Sequence, residues 1–482
     1  MHEGIDKIPK HLFIGGAWRE AKTGSTFDVE DPATGEVLCS VADAAPDDAI
    51  DAVVAAGDAQ GGWSEVPGRR RGELLRGTFE ALTDCADELA LVLTLEMGKP
   101  LAEAKAEIAY AAEFFRWFSE EAVRLPGRYS RSPEGTARFL TGSRPVGPCL
   151  LITPWNFPIA MAARKIAPAI AAGCTMVLKP ADQTPLSALA LTAILDEVGL
   201  PPGVLNVVTT TAPGTVVEPL LRRPEIRKLS FTGSTATGRR LMTAAAENLL
   251  RVSLELGGNA PFIVFADADV DEAIEGALVA KLRNGGQACT AANRFLIAEE
   301  LADEFTACLA VRMDALPVGR GTDPGVALGP LIDSRQRDKV ATLVTDAVEE
   351  GAKAVVGGTP LDAPGWFFPP TVLTSVPPSA AVLREEIFGP VAPITTFRTE
   401  DEALAAANTT SYGLVSYLYT NDLRRALRVA ERLETGMVGL NQGLVSNAAA
   451  PFGGMKHSGF GREGGAEGIA EYLETQYLAV SV

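Results

Sequence analysis

Along the middle of the chain, short apolar runs alternate with longer stretches in which apolar positions recur every three or four residues. The runs Cys149–Thr153, Thr175–Lys179, Leu205–Val208, Lys228–Phe231 and Val252–Glu255 predict strands, and Met161–Ala172, Ser187–Val198 and Thr235–Glu247 predict helices between them. Strands this short and this apolar are buried on both faces, and helices of this length carry the chain back over the sheet. The pattern predicts an α/β fold with a doubly wound, dinucleotide-type parallel sheet. After Gly257-Gly258 the rhythm resumes, with strands near Pro261–Phe265, Arg294–Ile297, Ala354–Val356, Val391–Phe397 and Leu414–Tyr419, so a second α/β unit follows.

The flanks read differently. From His11 to Val41, β-like pieces are cut by Gly15-Gly16, Gly24 and Pro32-Ala33-Thr34-Gly35, which predicts a small β-hairpin unit. From Pro46 to Arg124 the spacing of residues such as Leu89, Val92, Leu93 and Leu95 predicts a set of amphipathic helices. The Thr/Ser-rich stretch Arg128 to Arg144 reads as an extended arm, and Ala470 to Val482 as a β-like tail able to join a neighbouring sheet.

Composition narrows the function. The 47% hydrophobic and 22% charged residues suit globular domains, and the apolar stretch Ala160 to Ala172 is interrupted by Arg164 and Lys165, short of the roughly 18 residues a membrane span needs. A net charge of −18, from 43 Lys and Arg against 61 Asp and Glu, repels nucleic acid and anionic lipid. Met1 to Lys10 carries no apolar core or Arg/Ser-rich amphipathic pattern, and the six cysteines are scattered without a C-x-x-C, so a cytoplasmic location is expected. The three histidines, His2, His11 and His457, assemble neither a metal site nor a Ser-His-Asp triad.

Four loops follow predicted strands of the first sheet, at the edge where open α/β sheets bind ligands. They read Thr153-Pro154-Trp155-Asn156, Lys179-Pro180-Ala181-Asp182, Thr232-Gly233-Ser234-Thr235 and Leu256-Gly257-Gly258. Each alone fits an ordinary turn, and no G-x-G-x-x-G is present, but four at one edge point to a nucleotide, with Gly233 allowing close approach and Ser234 or Thr235 capping a helix whose N-terminus suits a pyrophosphate. In Asn284-Gly285-Gly286-Gln287-Ala288-Cys289-Thr290 a cysteine stands behind a Gly-Gly hinge among polar residues, where a thiolate nucleophile is plausible. No histidine accompanies it, but Glu255, at the end of an apolar strand before Gly257-Gly258, offers a carboxylate base; a salt-bridged strand end would explain Glu255 equally well.

Five segments together, Val252-Ser-Leu-Glu-Leu-Gly-Gly-Asn259, Gly286-Gln-Ala-Cys-Thr290, Thr153-Pro-Trp-Asn-Phe-Pro158, Phe231-Thr-Gly-Ser234 and Glu385-Glu-Ile-Phe-Gly-Pro390, resemble motifs of the aldehyde dehydrogenase superfamily, in order along nearly the whole chain. The resemblance implies a Cys289 nucleophile, a Glu255 general base and an oxyanion site of the Asn156 side-chain amide with the Cys289 backbone N–H. It implies cofactor contacts from Lys179 and Glu386 to the two riboses, with Thr153, Pro154, Trp155, Asp182, Gly233, Ser234, Leu256 and Phe388 completing the NAD site, and no metal. It also implies a dinucleotide-binding domain (1–125 and 145–257), a catalytic domain (258–455) and a small β oligomerisation arm (126–144 and 466–482) of a homodimer or homotetramer.

Leu254-Glu-Leu-Gly-Gly-Asn-Ala-Pro-Phe-Ile-Val-Phe265 and Gly459-Phe-Gly-Arg-Glu463 are most similar to the succinate-semialdehyde dehydrogenase branch. That likeness implies a substrate carboxylate held by Arg164, Arg283 and Ser446, residues that could otherwise be solvated helix or loop charges. Guanidinium forks suit carboxylates. Glutarate semialdehyde or an aminoaldehyde is the alternative substrate, although an aminoaldehyde enzyme would want acidic or aromatic residues at Arg164 and Arg283. A catalytically silent binding protein of the same ancestry is the alternative of another class. Ala291, two residues past Cys289, replaces a second cysteine found in some relatives, so no regulatory disulfide is expected there. Asp182, three residues past Lys179, accepts a 2′-hydroxyl but repels a 2′-phosphate, which favours NAD, with NADP possible.

Overall fold

The computed structural model describes residues 3–481. Met1, His2 and Val482 lie outside the described residues, and with them the expectations for His2 and for the last residue of the tail. Five parallel strands form the centre of the larger sheet in the order Leu205–Val207, Met176–Lys179, Cys149–Ile152, Lys228–Thr232, Arg251–Glu255. In chain order this is third, second, first, fourth, fifth, so the winding reverses between Cys149–Ile152 and Lys228–Thr232. Crossover connections can lie on both faces only if the order reverses somewhere, and the loops diverge there and leave a crevice.

The strands form where they do because their residues are apolar on both sides; Leu150, Val177, Leu178 and Leu229 are wholly buried. The helices Pro158–Ala172 and Pro185–Glu197 each open on a proline, whose missing N–H costs nothing in a first turn, and the former ends at Gly173, with φ of 91°. Ser234 caps the Thr235–Ala245 helix by accepting from the Thr237 N–H. The second sheet has seven strands in the order Lys353–Val356, Thr371–Thr374, Val391–Phe397, Ala292–Ala298, Ala260–Val264, Val415–Tyr419, Met437–Leu440, parallel except at the Lys353–Val356 edge. Four helices, Pro46–Ser64, Gly68–Asp84, Ala86–Met97 and Leu101–Glu121, fill the predicted helical stretch, and the last packs against the Pro158–Ala172 helix. No helix among the described residues is long and apolar enough to cross a membrane.

Two expectations need correction. The 11–41 region is not one hairpin unit. Leu12–Ile14 and Ala17–Arg19 form a hairpin that extends the large sheet, Phe13 pairing with Val207, and only Thr26–Glu30 with Val37–Ala42 stands apart. Leu205–Val207 is buried and would otherwise be an open edge, which the hairpin covers. The carboxy-terminal arm is shorter than 466–482, because Gly465–Ala470 is a helix against Leu101–Glu121 and Pro158–Ala172, and the strand runs Leu473–Ser481. It pairs antiparallel with Ala137–Pro145, which pairs with Arg128–Arg131. Gly459–Phe460 pairs antiparallel with Leu254 and Glu255 and so joins the first sheet from far along the chain.

Candidate active site

The reversal of winding puts the loop after Cys149–Ile152 beside the loop after Lys228–Thr232, and the Arg251–Glu255 strand ends next to the latter. The second sheet brings the Cys289 turn against the same edge, immediately before its Ala292–Ala298 strand. Between them lies a cavity of about 240 Å³. From the sheet-edge loops come Pro154, Trp155, Asn156, Gly233, Ser234, Glu255 and Leu256; from the second unit come Arg283, Cys289, Glu386, Phe388 and Ser446; from two helices come Tyr110 and Arg164. Thr153, Lys179 and Asp182 do not line it. Thr153 lies just before Pro154, and Lys179 and Asp182 sit one strand over, the Thr153 N–H donating to the Lys179 carbonyl at 3.1 Å.

The turn carrying Cys289 is held in an unusual shape. Asn284, Gly285 and Gly286 have φ of 56°, 63° and 76°, and a Cβ on Gly286 would lie 2.2 Å from the Gly389 carbonyl oxygen. Gly258 lets the Cys289 carbonyl approach in the same way, since a Cβ there would lie 2.4 Å from that oxygen. Asn284 is the only one of the three that carries a side chain into this left-handed region, and its contacts compensate: its N–H donates to Glu103 at 2.7 Å, and its amide donates to the carbonyls of Asn156 at 2.8 Å and Gln287 at 3.1 Å. The Asn156 amide also donates to the Gln287 carbonyl, at 3.0 Å, which ties its loop to the Cys289 loop while leaving one amide hydrogen free. Lys99 donates to the Asn156 carbonyl at 2.8 Å and pairs with Glu107, whose other oxygen accepts from the N–H groups of Ile159 and Ala160 at the start of the Pro158–Ala172 helix.

Burial pushes the Cys289 thiol up to about 12, Arg164 pulling the other way and Glu386 and Glu255 adding to the rise. Burial, then Glu463, also holds Glu255 well above the usual carboxylate range, with Arg164 opposing. Both Glu255 oxygens are shielded and lack a partner among the described residues, so this carboxyl is not the salt-bridged strand end that the sequence also allowed. Burial raises Glu386 to about 7; one of its oxygens accepts from the Gly258 N–H at 3.1 Å. Phe388 adopts φ of 56° and meets Trp155 edge-on at 5.3 Å.

At the other end of the cavity Arg164 is buried, not solvated. Its Nε lies 2.7 Å from Glu463, its guanidinium stacks 3.9 Å from the Phe452 ring centre, and its Nη2 has no partner among the described residues. Burial works against its charge, yet Glu463 holds its pKa above the ordinary value. Arg283 stands 4.7 Å over Phe157, without a carboxylate in ion-pair distance among the described residues. Lys179 is likewise buried; its ammonium makes no hydrogen bond among the described residues, and burial lowers its pKa against the nearby Asp182.

The sequence reading missed Lys99, Glu103, Glu107, Tyr110, Asn284 and Glu463. A signal existed for three of them: Glu103, Glu107 and Tyr110 share one face of the Leu101–Glu121 helix at intervals of four and three, interleaved with buried Ala104, Ile108 and Ala111, where charge needs a reason. Glu463 closes the Gly459-Phe-Gly-Arg-Glu463 segment, but nothing there points to its partners Arg164 and Lys165, almost 300 residues away.

The aldehyde dehydrogenase family model matches residues 18–478. A succinate-semialdehyde dehydrogenase of Paenarthrobacter nicotinovorans is 58% identical over 92% of this chain and 99% of its own. A glutarate-semialdehyde dehydrogenase of Pseudomonas aeruginosa is 49% identical over 98% of this chain and 97% of its own. The crystal structure of an Escherichia coli NADP-dependent enzyme superposes with a TM-score of 0.97, at 48% identity and covering 98% of both chains. With a family model spanning nearly its full length and relatives this similar, the chain belongs to the aldehyde dehydrogenase family.

Proposed function

We propose that the protein oxidises succinate semialdehyde to succinate with a nicotinamide dinucleotide, NAD preferred over NADP. The observation that carries the substrate is the pair of arginines in one cavity with Cys289, Glu255 and Asn156, one of them with a buried, unpartnered Nη2. An aldehyde reaching Cys289 at one end would place a carboxylate a few carbons away among Arg164, Arg283 and Ser446, and a charge-assisted bond there satisfies both partners. These residues in one cavity speak against a silent binding protein.

The cofactor fits the residues present. Lys179, a buried residue, offers an ammonium that makes no hydrogen bond among the described residues, Glu386 a carboxylate beside the Gly257-Gly258 turn, and Ser234 a capped helix start, with Pro154, Trp155, Gly233, Leu256 and Phe388 around the crevice and Thr153 just before Pro154. Bound there, the nicotinamide supplies the acceptor for the hydride. Asp182 beside Lys179 disfavours a 2′-phosphate.

In this reading Cys289 Sγ passes its proton to solvent water as it attacks and adds to the aldehyde carbon, whose C=O π electrons move to oxygen, to give a hemithioacetal oxyanion. The free hydrogen of the Asn156 amide and the Cys289 backbone N–H stabilise the oxyanion. Once the hemithioacetal is oxidised to a thioester, Glu255 takes a proton from the water that releases the acid. Residues 1–125 and 145–257 hold the cofactor and 258–455 carry Cys289. The exposed three-stranded sheet joins copies into a homodimer or homotetramer. Six free cysteines suit the cytoplasm.

Steady-state kinetics test the reading. Succinate semialdehyde should exceed propanal in kcat/KM, Arg164→Leu and Arg283→Leu should each lower it about ten- to a hundredfold for the semialdehyde while sparing propanal, and NAD should outperform NADP. Equal losses for both aldehydes would reduce the assignment to an aldehyde dehydrogenase of other specificity. Glutarate semialdehyde is the second reading, because a chamber of about 140 Å³ adjoins the cavity at Arg283 and leaves space for a longer chain.

A further inference from the structure

Tyr110 stands at the junction of the catalytic cavity and the adjoining chamber and lines both. Its ring meets Phe114 edge-on, with centres 5.0 Å apart, and the residue as a whole is half-buried. Its hydroxyl oxygen is different: it is sealed from solvent and has no hydrogen-bond partner among the described residues. Burial raises the phenol pKa, Arg164 and Arg283 oppose the rise, Glu463 adds to it, and Ser446 lies near enough to lower it although the pair does not meet hydrogen-bond geometry. An orphaned buried hydroxyl is costly, and phenylalanine would fill the same space without that cost. A tyrosine here therefore implies a partner the protein itself does not supply.

The surroundings identify that partner's chemistry. The groups around the hydroxyl that could meet a ligand are two guanidinium groups, which only donate, and the Ser446 hydroxyl, so the complementary ligand atom is an acceptor carrying negative charge. Burial raises the phenol pKa above its ordinary value, so the hydroxyl keeps its proton and donates at neutral pH. The catalytic groups Cys289 and Glu255 line the same cavity, so the acceptor belongs to the substrate.

We infer that the Tyr110 hydroxyl donates a hydrogen bond to the anionic group at the far end of the substrate, a fourth donor beside Arg164, Arg283 and Ser446, and so helps to set the preference for acidic over neutral aldehydes. The inference rests on the semialdehyde reading above. It assigns Tyr110 a specificity role and no part in the bond-making at Cys289.

The test uses the full-length enzyme with NAD, as wild type, Tyr110→Phe and Arg283→Leu, on succinate semialdehyde and propanal. Tyr110→Phe should lower kcat/KM for the semialdehyde about tenfold, mostly through KM, leave propanal within about twofold, and weaken inhibition by the product succinate by a similar factor. Unchanged semialdehyde kinetics and succinate inhibition in Tyr110→Phe, with Arg283→Leu still selective, would overturn the Tyr110 assignment alone. Equal losses for both aldehydes would do the same and make Tyr110 a packing residue. If wild type shows no preference for the semialdehyde and Arg283→Leu is unselective too, the semialdehyde reading falls and Tyr110 with it. Tyr110→Leu, which also lacks the hydroxyl, serves in the same assays if melting shows that Tyr110→Phe does not fold.

Discussion

Cys289 and Glu255 face one cavity as two acids whose charged forms burial disfavours, Glu255 adding to the rise at the Cys289 thiol. The proposed nucleophile and base, which would act in turn, gain from this arrangement, since neither is held in a salt bridge among the described residues that would have to break. Both Glu255 oxygens are free to accept from a water. For Glu255→Gln we predict that a burst of reduced cofactor equal to the enzyme concentration survives in stopped-flow measurements while steady turnover falls about 10²- to 10⁴-fold. The pH dependence follows from the raised pKa: below it the carboxyl is protonated and cannot take a proton, so wild-type deacylation should rise with pH through a value well above the ordinary carboxylate range. That limb should vanish in the variant. Loss of the burst together with turnover would give Glu255 the earlier role of deprotonating Cys289.

The start of the Pro158–Ala172 helix and the Cys289 turn are both anchored by the Leu101–Glu121 helix and the lysine just before it. Glu107 caps the first, Glu103 holds Asn284 in the second, and Lys99 bonds the Asn156 carbonyl between them. Lys99 and Glu107 form an ion pair with almost no solvent exposure, 0% and 1% for the two side chains, so removing one partner strands the other charge in a dry interior. We predict that Glu107→Ala costs about 3–5 kcal/mol in denaturant unfolding. Lys99→Met with Glu107→Leu should recover much of that stability, because no buried charge is left. Activity should not recover with it, since the Asn156 carbonyl and the helix start have lost their partners. Parallel recovery of stability and kcat would show that the pair serves the fold alone.

Across the whole molecule, the three-stranded sheet gathers several of the exposed large apolar side chains on one surface. Register places Tyr129 beside Leu140 and Leu140 beside Leu478, an apolar row whose members are 63%, 44% and 61% exposed. A contiguous exposed apolar strip on a monomer is unusual, and on a sheet it suits the proposed contact between copies. Tyr129→Lys with Leu478→Lys should therefore lower the mass measured by light scattering toward that of one chain, about 50.6 kDa, at micromolar concentration. An unchanged mass would move the interface elsewhere. Because the cavity is built within one chain, dissociation should change stability more than the KM for the aldehyde.

The parallel sheets were legible in the sequence because fully buried strands must be apolar throughout and the helices between them follow their own period; Val391–Phe397 lies where its pattern placed it. Cys289 and Glu255 were legible because each interrupts a local rule, a thiol in a polar glycine turn and a charge ending an apolar strand. The unpaired edges were not, because a strand's neighbour is a property of the sheet: Leu12–Ile14 and Gly459–Phe460 join it from opposite ends of the chain. The protonation of Cys289 was also beyond reach, since desolvation depends on what closes over the sulfur. So was the environment of Arg164. Sequence places it on a helix beside Lys165, but only folding brings Glu463 and Phe452 to it and leaves one of its nitrogens, with the Tyr110 hydroxyl, buried and unpaired. Local pattern specified most of the elements and singled out the candidate residues, whereas burial and the long-range meeting of charges decided the surroundings in which those residues stand.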